Sequence, residues 1–316
     1  MKQHKSDKAR LLLAVDFSRP ARRAIPYAIK LASVLDLGLT AVHVVKAPPG
    51  FGSSGRGTRR SLHPLTTKAL LDLGRLVRLA AESGVTADHK LLVGIPEEAI
   101  LQVADEVGAV LIALGTHGRS GLDRFRLGSV AESVLRRAHC PVLAINAQAG
   151  SQPPVNPLRL HLTRLLVATD FSASSTAALR CASAMARLMD GHVTVVHVTK
   201  ETDSLPRHSD RMDQVAHKRA DHKLQHAVAA AGIRESASDS TLLQGEPAEL
   251  ILAHAARTKA HLIVMGSQGR RGMERLMLGS VAESVLRKAR CPVLVVKRDG
   301  RINRLVGSSP SAAHHR

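Results

Sequence analysis

Leu127 to Arg136 reads LGSVAESVLR, and Leu278 to Arg287 reads LGSVAESVLR again, 151 residues on. Outward from these ten residues the correspondence continues. LLLAVDFS at 11–18 answers LLVATDFS at 165–172, and AVHVVK at 41–46 answers VVHVTK at 195–200, both at a spacing of 154. LLVGIPEE at 91–98 answers LLQGEPAE at 242–249, with the spacing back at 151. The chain is therefore two copies of one unit, the second three residues shorter between its His-Val strand and its Gly-x-Pro turn. A period this long marks duplicated domains, not a solenoid of 20–50-residue repeats.

Within each copy, short apolar runs alternate with segments of helical period. In the first, strands are predicted at Leu11–Val15, Leu39–Val45, His89–Val93, Ala109–Leu114 and Val142–Ile145. Helices are predicted at Arg19–Leu37, at Leu70–Ala81, from Pro96, and at Ser129–Arg137. Near-continuous apolar strands indicate burial on both faces, and the alternation implies a parallel sheet covered by helices. Ligands of such sheets bind beyond the C-terminal strand ends, at the switch point in strand order. Candidate functional residues should follow directly after strands.

After the fourth strand comes Gly115-Thr116-His117-Gly118, nine residues, then Gly128-Ser129; the second copy has Gly266-Ser267-Gln268-Gly269, nine residues, then Gly279-Ser280. Glycines at a strand end let backbone N–H groups approach an anion, and a helix N-terminus attracts one. The intervening loops, RSGLDRFRL and RRGMERLML, each carry three Arg against one acid, which suits polyphosphate. A ligand-free account exists for part of the pattern. Ser129-x-x-Glu132 and Ser280-x-x-Glu283 have the form of capping boxes. Capping does not explain three glycines in register in both copies.

At these residues each half resembles the universal stress protein family, of the ATP-binding type. The resemblance rests on Asp16-Phe17-Ser18 and Asp170-Phe171-Ser172, His43-Val44 and His197-Val198, the glycine pattern, and the final Cys-Pro-Val-Leu strand. It implies an α/β fold of two tandem Rossmann-like (adenine nucleotide alpha hydrolase-like) domains. Each would be a five-stranded parallel sheet of order 3-2-1-4-5 with helices on both faces. The domains span 8–147 and 162–298, with a Pro-rich linker at 148–161 and a polar tail at 299–316. The implied ligand is ATP, or ADP or AMP, with Mg²⁺ held through the phosphates. The aspartate and the valine backbone would hold adenine, and the glycines and serine the ribose and phosphates. The first site is then Asp16, Val44, Gly115, Gly118, Gly128, Ser129 and Val130. The second is Asp170, Val198, Gly266, Gly269, Gly279, Ser280 and Val281. Gln268 stands where the first copy has His117, so phosphate contacts can differ between the sites.

The implied role is a cytoplasmic stress-response regulator that answers to adenine nucleotide, with an unidentified protein partner and no catalytic residues. The alternative is a slow ATPase or nucleotidyl-transfer enzyme. Against catalysis, Asp16 and Asp170 are solitary, with no carboxylate or His partner nearby in sequence. The 316 residues carry 45 Lys and Arg against 26 Asp and Glu, a net charge of +19 that favours anionic partners. Aromatics at 2% and no recognisable binding motif argue against nucleic acid. No apolar run is long enough to span a membrane, and the charged N-terminus lacks the form of a signal peptide. Cys140, Cys181 and Cys291 fit neither a disulfide ladder nor a zinc site and read as packed thiols in a reducing compartment.

Two further signals are declined. Gly50-Phe-Gly-Ser-Ser-Gly55 matches GxGxxG but follows Pro48-Pro49, precedes no apolar helix and has no counterpart in the second copy. His222 and His226, preceded by His217, read as a solvated helix face. The terminal strands, Val142–Ile145 and Val293–Val296, are apolar edges, and their mutual pairing within the chain is expected. A homodimer is the other assembly open to such edges.

Overall fold

A computed structural model describes residues 8–46, 57–116, 127–146, 156–199, 210–269 and 278–298; side chains are described for these except 57–65, 210–214 and 216. The GxGxxG stretch at 50–55, His117, Gly118, Asp123, Glu274, most of the linker and the tail lie outside the described residues.

The first copy runs β1 (Arg10–Ala14), α1 (Arg19–Val34), β2 (Gly38–Lys46), α2 (Gly57–Glu82), β3 (Ala87–Gly94), α3 (Pro96–Glu106), β4 (Ala109–Gly115), α4 (Ser129–Arg137) and β5 (Val142–Ile145). The second runs β6 (Arg164–Thr169), α5 (Ala173–Met189), β7 (His192–Thr199), α6 (Asp210–Ala230), β8 (Ser238–Gln244), α7 (Pro247–Arg257), β9 (Leu262–Gly266), α8 (Ser280–Lys288) and β10 (Val293–Val296). The strands form one ten-stranded sheet of order β3-β2-β1-β4-β5-β10-β9-β6-β7-β8. Read outward from its centre, each half has the expected order.

All ladders are parallel except the central one, where β5 and β10 pair antiparallel with Leu143 opposite Leu294. The expected pairing of the terminal strands is thus present, and two five-stranded sheets become one. Leu143 and Leu294 are fully buried. Burying each contributes roughly 1.5–3 kcal/mol, and neither edge is left as a template for another chain.

One apolar cluster on one face of the sheet joins β-strand residues to α1, α2, α5 and α6; a second on the other face joins them to α3, α4, α7 and α8. Local chemistry places the helix starts. Ser18 and Ser172 cap α1 and α5, accepting from Ala21 N at 3.4 Å and Ser175 N at 3.3 Å. Pro96 and Pro247 open α3 and α7, where a missing N–H costs no helical bond. Pro26 sits inside α1 with no break in the helix; its ring is buried in the core.

The structure departs from the sequence reading in three places. β3 and β8 are the sheet's true edges, and both are made of half-buried and exposed residues with none fully buried, not buried on both faces. α2 reaches back to Gly57, well before the apolar periodicity begins at Leu70. The end of the linker is docked: Leu160 is buried, and Lys30 Nζ donates to Leu158 O at 3.2 Å. Leu160, in the linker, and Leu162, just past it, join the same cluster as α1, which local composition does not reveal.

Candidate functional site

The expected residues converge at the C-terminal ends of the central strands of each half. Asp16 and Asp170 lie two residues and one residue past β1 and β6, and Val44 and Val198 lie in β2 and β7 beside them. Gly115 and Gly266 end β4 and β9, and Gly128 and Gly279 stand at the N-termini of α4 and α8. Ser129 and Ser280 are the first helical residues and are exposed; Val130 and Val281 follow, half-buried.

The aspartates are held by the same turn in both copies. Asp16 Oδ1 accepts from Ser18 N, and Asp170 Oδ1 from Ser172 N, each at 3.0 Å. Between them Phe17 and Phe171 take the left-handed conformation, φ 57° and 64°, which costs a non-glycine residue roughly 1–3 kcal/mol. The turn is clamped from the neighbouring strand. His43 Nδ1 lies 2.6 Å from Val15 O, and His197 Nδ1 lies 2.7 Å from Thr169 O. A carbonyl only accepts, so Nδ1 carries the proton. Each ring also packs on its phenylalanine, at 5.3 Å for His43 and Phe17 and 4.3 Å for His197 and Phe171. A cation covers each phenylalanine: Arg22 at 5.7 Å from the Phe17 ring and Lys223 at 4.8 Å from the Phe171 ring. The sequence signalled these residues by repeating Asp-Phe-Ser and His-Val in both copies; the clamp and the strained turn are tertiary facts.

The glycines do different jobs. A Cβ on Gly115 would stand 2.9 Å from Ala21 N, and one on Gly266 would stand 2.5 Å from Ser174 Oγ and 2.7 Å from Ser175 N. These glycines let β4 and β9 press against the first turns of α1 and α5, a packing need that by itself requires glycine. A Cβ on Gly269 would stand 3.0 Å from Asp170 Oδ2, so the second glycine keeps the loop against the aspartate. Gly279 is different. Its φ and ψ, −65° and 144°, suit any residue. A Cβ there would meet only ordinary contacts at 3.5–3.6 Å. Neither backbone nor packing requires glycine at 279; a side chain would fill the space at the mouth of α8. Gly128 has the same conformation, −65° and 141°.

The capping-box account is corrected. Gly128 and Gly279 are the N-caps of α4 and α8, and neither helix has a side-chain cap. Glu132 turns to Arg136 at 2.7 Å, and Glu283 to Arg287. The N–H groups of Gly128 and Gly279 are taken within the chain, Gly128 N donating to Thr116 O and Gly279 N to Ser267 O, both at 2.8 Å. The first bonds within the helices are Glu132 N to Gly128 O and Glu283 N to Gly279 O, both at 2.9 Å. The amides of Ser129, Val130 and Ala131, and of Ser280, Val281 and Ala282, are thereby presented outward without a helical partner.

The second site carries a hydroxyl network that the first lacks. Thr169 Oγ1 donates to Ser175 Oγ at 3.1 Å, and Ser174 Oγ donates to Gln268 O at 2.5 Å. The matching residues of the first copy are Val15, Ala21 and Pro20, none with a hydroxyl. The thiols lie away from both sites. Burial pushes Cys181 and Cys291 up to about 12, and Cys140 is buried.

The sheet order defines a tandem Rossmann-like protein, with the candidate residues at the C-terminal edge of each half-sheet. The Universal stress protein family model matches residues 9–146 and 161–297. The chain belongs to the universal stress protein family. It is 29% identical over 308 residues to Universal stress protein Rv2005c of Mycobacterium tuberculosis, covering 91% of this chain and 97% of that one. It is 34% identical over 137 residues to Universal stress protein MJ0531 of Methanocaldococcus jannaschii, covering 43% of this chain and 81% of that one. Among solved structures, a universal stress protein from Archaeoglobus fulgidus superposes with a TM-score of 0.69 at 25% identity, covering 92% of this chain and 99% of that one. No helix among the described residues is long and apolar enough to cross a membrane.

Proposed function

We propose that this protein binds adenine nucleotide, ATP foremost, at two sites, and acts as a nucleotide-responsive regulator in the stress response without catalysing turnover. The observation that carries the reading is the polarity of the second site. A carboxylate, Asp170, borders Gly269 at one side, while the uncapped N-terminus of α8 opens behind Gly279 at the other. A carboxylate repels phosphate and accepts from a base amine or a ribose hydroxyl. A helix N-terminus with a serine at its first position takes an anion. A ligand with hydrogen-bond donors at one end and phosphates at the other satisfies both, and the resemblance to ATP-binding members points the same way.

The described residues hold no group of three or more His, Cys, Asp or Glu able to bind a metal. In this reading Mg²⁺ arrives with the nucleotide, held through its phosphates. The role of each proposed residue follows from its place. Asp16 and Asp170 accept from the adenosine end, the Val44 and Val198 backbones flank it, and Ser129, Val130, Ser280 and Val281 donate to phosphate. Isothermal titration with ATP, ADP and AMP tests the reading. Two equivalents of ATP bound to wild type and one to Gly279→Val are expected; no binding by any of the three nucleotides rejects it.

A further inference from the structure

The two copies exchange a contact at the helices that form the proposed phosphate ends. Asn146 follows β5, and its Nδ2 donates to Arg287 O at 2.7 Å and Leu286 O at 3.3 Å, in the last turn of α8. Lys297 follows β10 in the other copy, and its Nζ donates to Arg136 O, in the last turn of α4. Asn146 and Lys297 correspond in the repeat, as do Arg136 and Arg287, each pair 151 residues apart. The contacts are therefore one contact repeated across the antiparallel β5–β10 seam.

Each contact falls on a short helix. α4 and α8 have nine residues apiece, about 13.5 Å at 1.5 Å per residue. The last carbonyls of a helix have no partner of their own. In α4 and α8 the partner comes from the other copy. The opposite end of each helix, little more than two turns away, presents the outward amides of Ser129 or Ser280. Two-and-a-half turns pinned at one end leave the other end little freedom; unpinned, the last turn frays and the remainder rests on one apolar face. The salt links Glu132–Arg136 and Glu283–Arg287 lie within each helix and do not fix it to the sheet.

We propose that Lys297 and Asn146 are crossed positioning residues: Lys297, from the second copy, sets the phosphate end of the first site through α4, and Asn146, from the first copy, sets that of the second site through α8. This rests on the nucleotide reading of the two sites. It makes neither site complete within its own repeat, although every residue expected to touch nucleotide in a site belongs to one repeat.

The full chain tests this with Asn146→Ala, with Lys297→Met, which keeps an apolar stem but no donor, and with Lys297→Asn, which copies the first repeat. Hydrogen exchange of the nucleotide-free protein reads the anchoring directly. Lys297→Met should speed exchange in 129–137 and leave 280–288 unchanged, and Asn146→Ala should do the reverse. ATP affinity is then measured at one site at a time, in Gly279→Val for the first and Gly128→Val for the second. Losing one hydrogen bond to a helix end lowers affinity about fivefold at the crossed site, with the same-copy site within about twofold. Lys297→Asn should retain both affinities. Equal effects at both sites, or none at either, overturn the proposal, since a merely structural seam contact acts on both alike. Crossed exchange in a protein that binds no ATP supports the anchoring and rejects the nucleotide reading.

Discussion

Gly266 and Ser174 cannot both keep their positions if Gly266 gains a Cβ, because that atom would stand 2.5 Å from Ser174 Oγ. Ser174 Oγ meanwhile holds Gln268 O at 2.5 Å. The contact welds the end of β9, the start of α5 and the beginning of the glycine loop into one unit. Gly279, thirteen residues on, has no such constraint.

These two glycines should therefore separate folding from ligand binding. Gly266→Ala is expected to destabilise the ligand-free protein by about 1–3 kcal/mol, the usual cost of overpacking a tight contact. Gly279→Val is expected to leave the ligand-free melting temperature within a degree or two, while losing the second site's share of the ATP-induced rise. A ligand at a hundred times its dissociation constant stabilises by about 2.7 kcal/mol per site, so differential scanning fluorimetry resolves both outcomes. An ATP shift undiminished in Gly279→Val would place the phosphates elsewhere.

The clamp histidines should matter for binding more than their distance from the phosphate end suggests. His197→Phe keeps a ring against Phe171 but removes the donor to Thr169 O. That leaves a carbonyl next to Asp170 without this partner and loosens the turn that aims the carboxylate. A loss of about 1–3 kcal/mol in stability is expected, with ATP affinity at the second site falling while that at the first is kept. Titration in the Gly128→Val and Gly279→Val backgrounds checks it.

Lys297 gives stability a pH dependence with a definite sign. Burial pushes its ammonium down from 10.5 to about 8, against a smaller upward pull from Cys140. Between those values the unfolded chain binds the proton and the folded chain does not, so stability rises with pH across that window. Solvent screening at a half-buried ammonium holds the effect to about 1 kcal/mol, or roughly 2–4 °C in melting temperature. Melting curves of wild type and Lys297→Met at about pH 7.5 and pH 10 should differ in slope by that amount. Parallel curves would show that the amine is solvated.

Turnover should be slow. The acids proposed for the site are Asp16 and Asp170, and each already accepts from the serine amide two residues on. Each stands at the end assigned to adenosine. Phosphate release is expected far below the ~1–100 s⁻¹ of kinases. Asp123→Ala and Glu274→Ala, in the arginine-rich loops, should leave it unchanged. A rate within that range, lost in those two variants with ATP binding intact, would make the protein an enzyme.

The thiols should be silent in the native state. Cys181 is fully buried and, with Cys291, pushed up to about 12, so the thiolate is scarce at neutral pH. Titration with a thiol reagent should find no fast-reacting group before denaturation and all three after it.

The amino-acid sequence by itself determined the duplication, the alternation of strands and helices, and the strand-end position of Asp16, Asp170 and the glycines. These are properties of local periodicity and of turn chemistry, and repetition within one chain doubles each signal. It did not separate the glycines by purpose. Gly266 is explained by a neighbour some ninety residues away in the chain, Ser174, and only packing brings the two together. It also suggested capping boxes at Ser129 and Ser280, because Ser-x-x-Glu is a local pattern. The tertiary structure instead turned Glu132 and Glu283 to Arg136 and Arg287 and left the helix mouths uncapped. The cross-copy contacts of Asn146 and Lys297 were beyond any local reading. They exist because two edge strands close one sheet, and that closure carries each residue past its own repeat to the end of the other's helix.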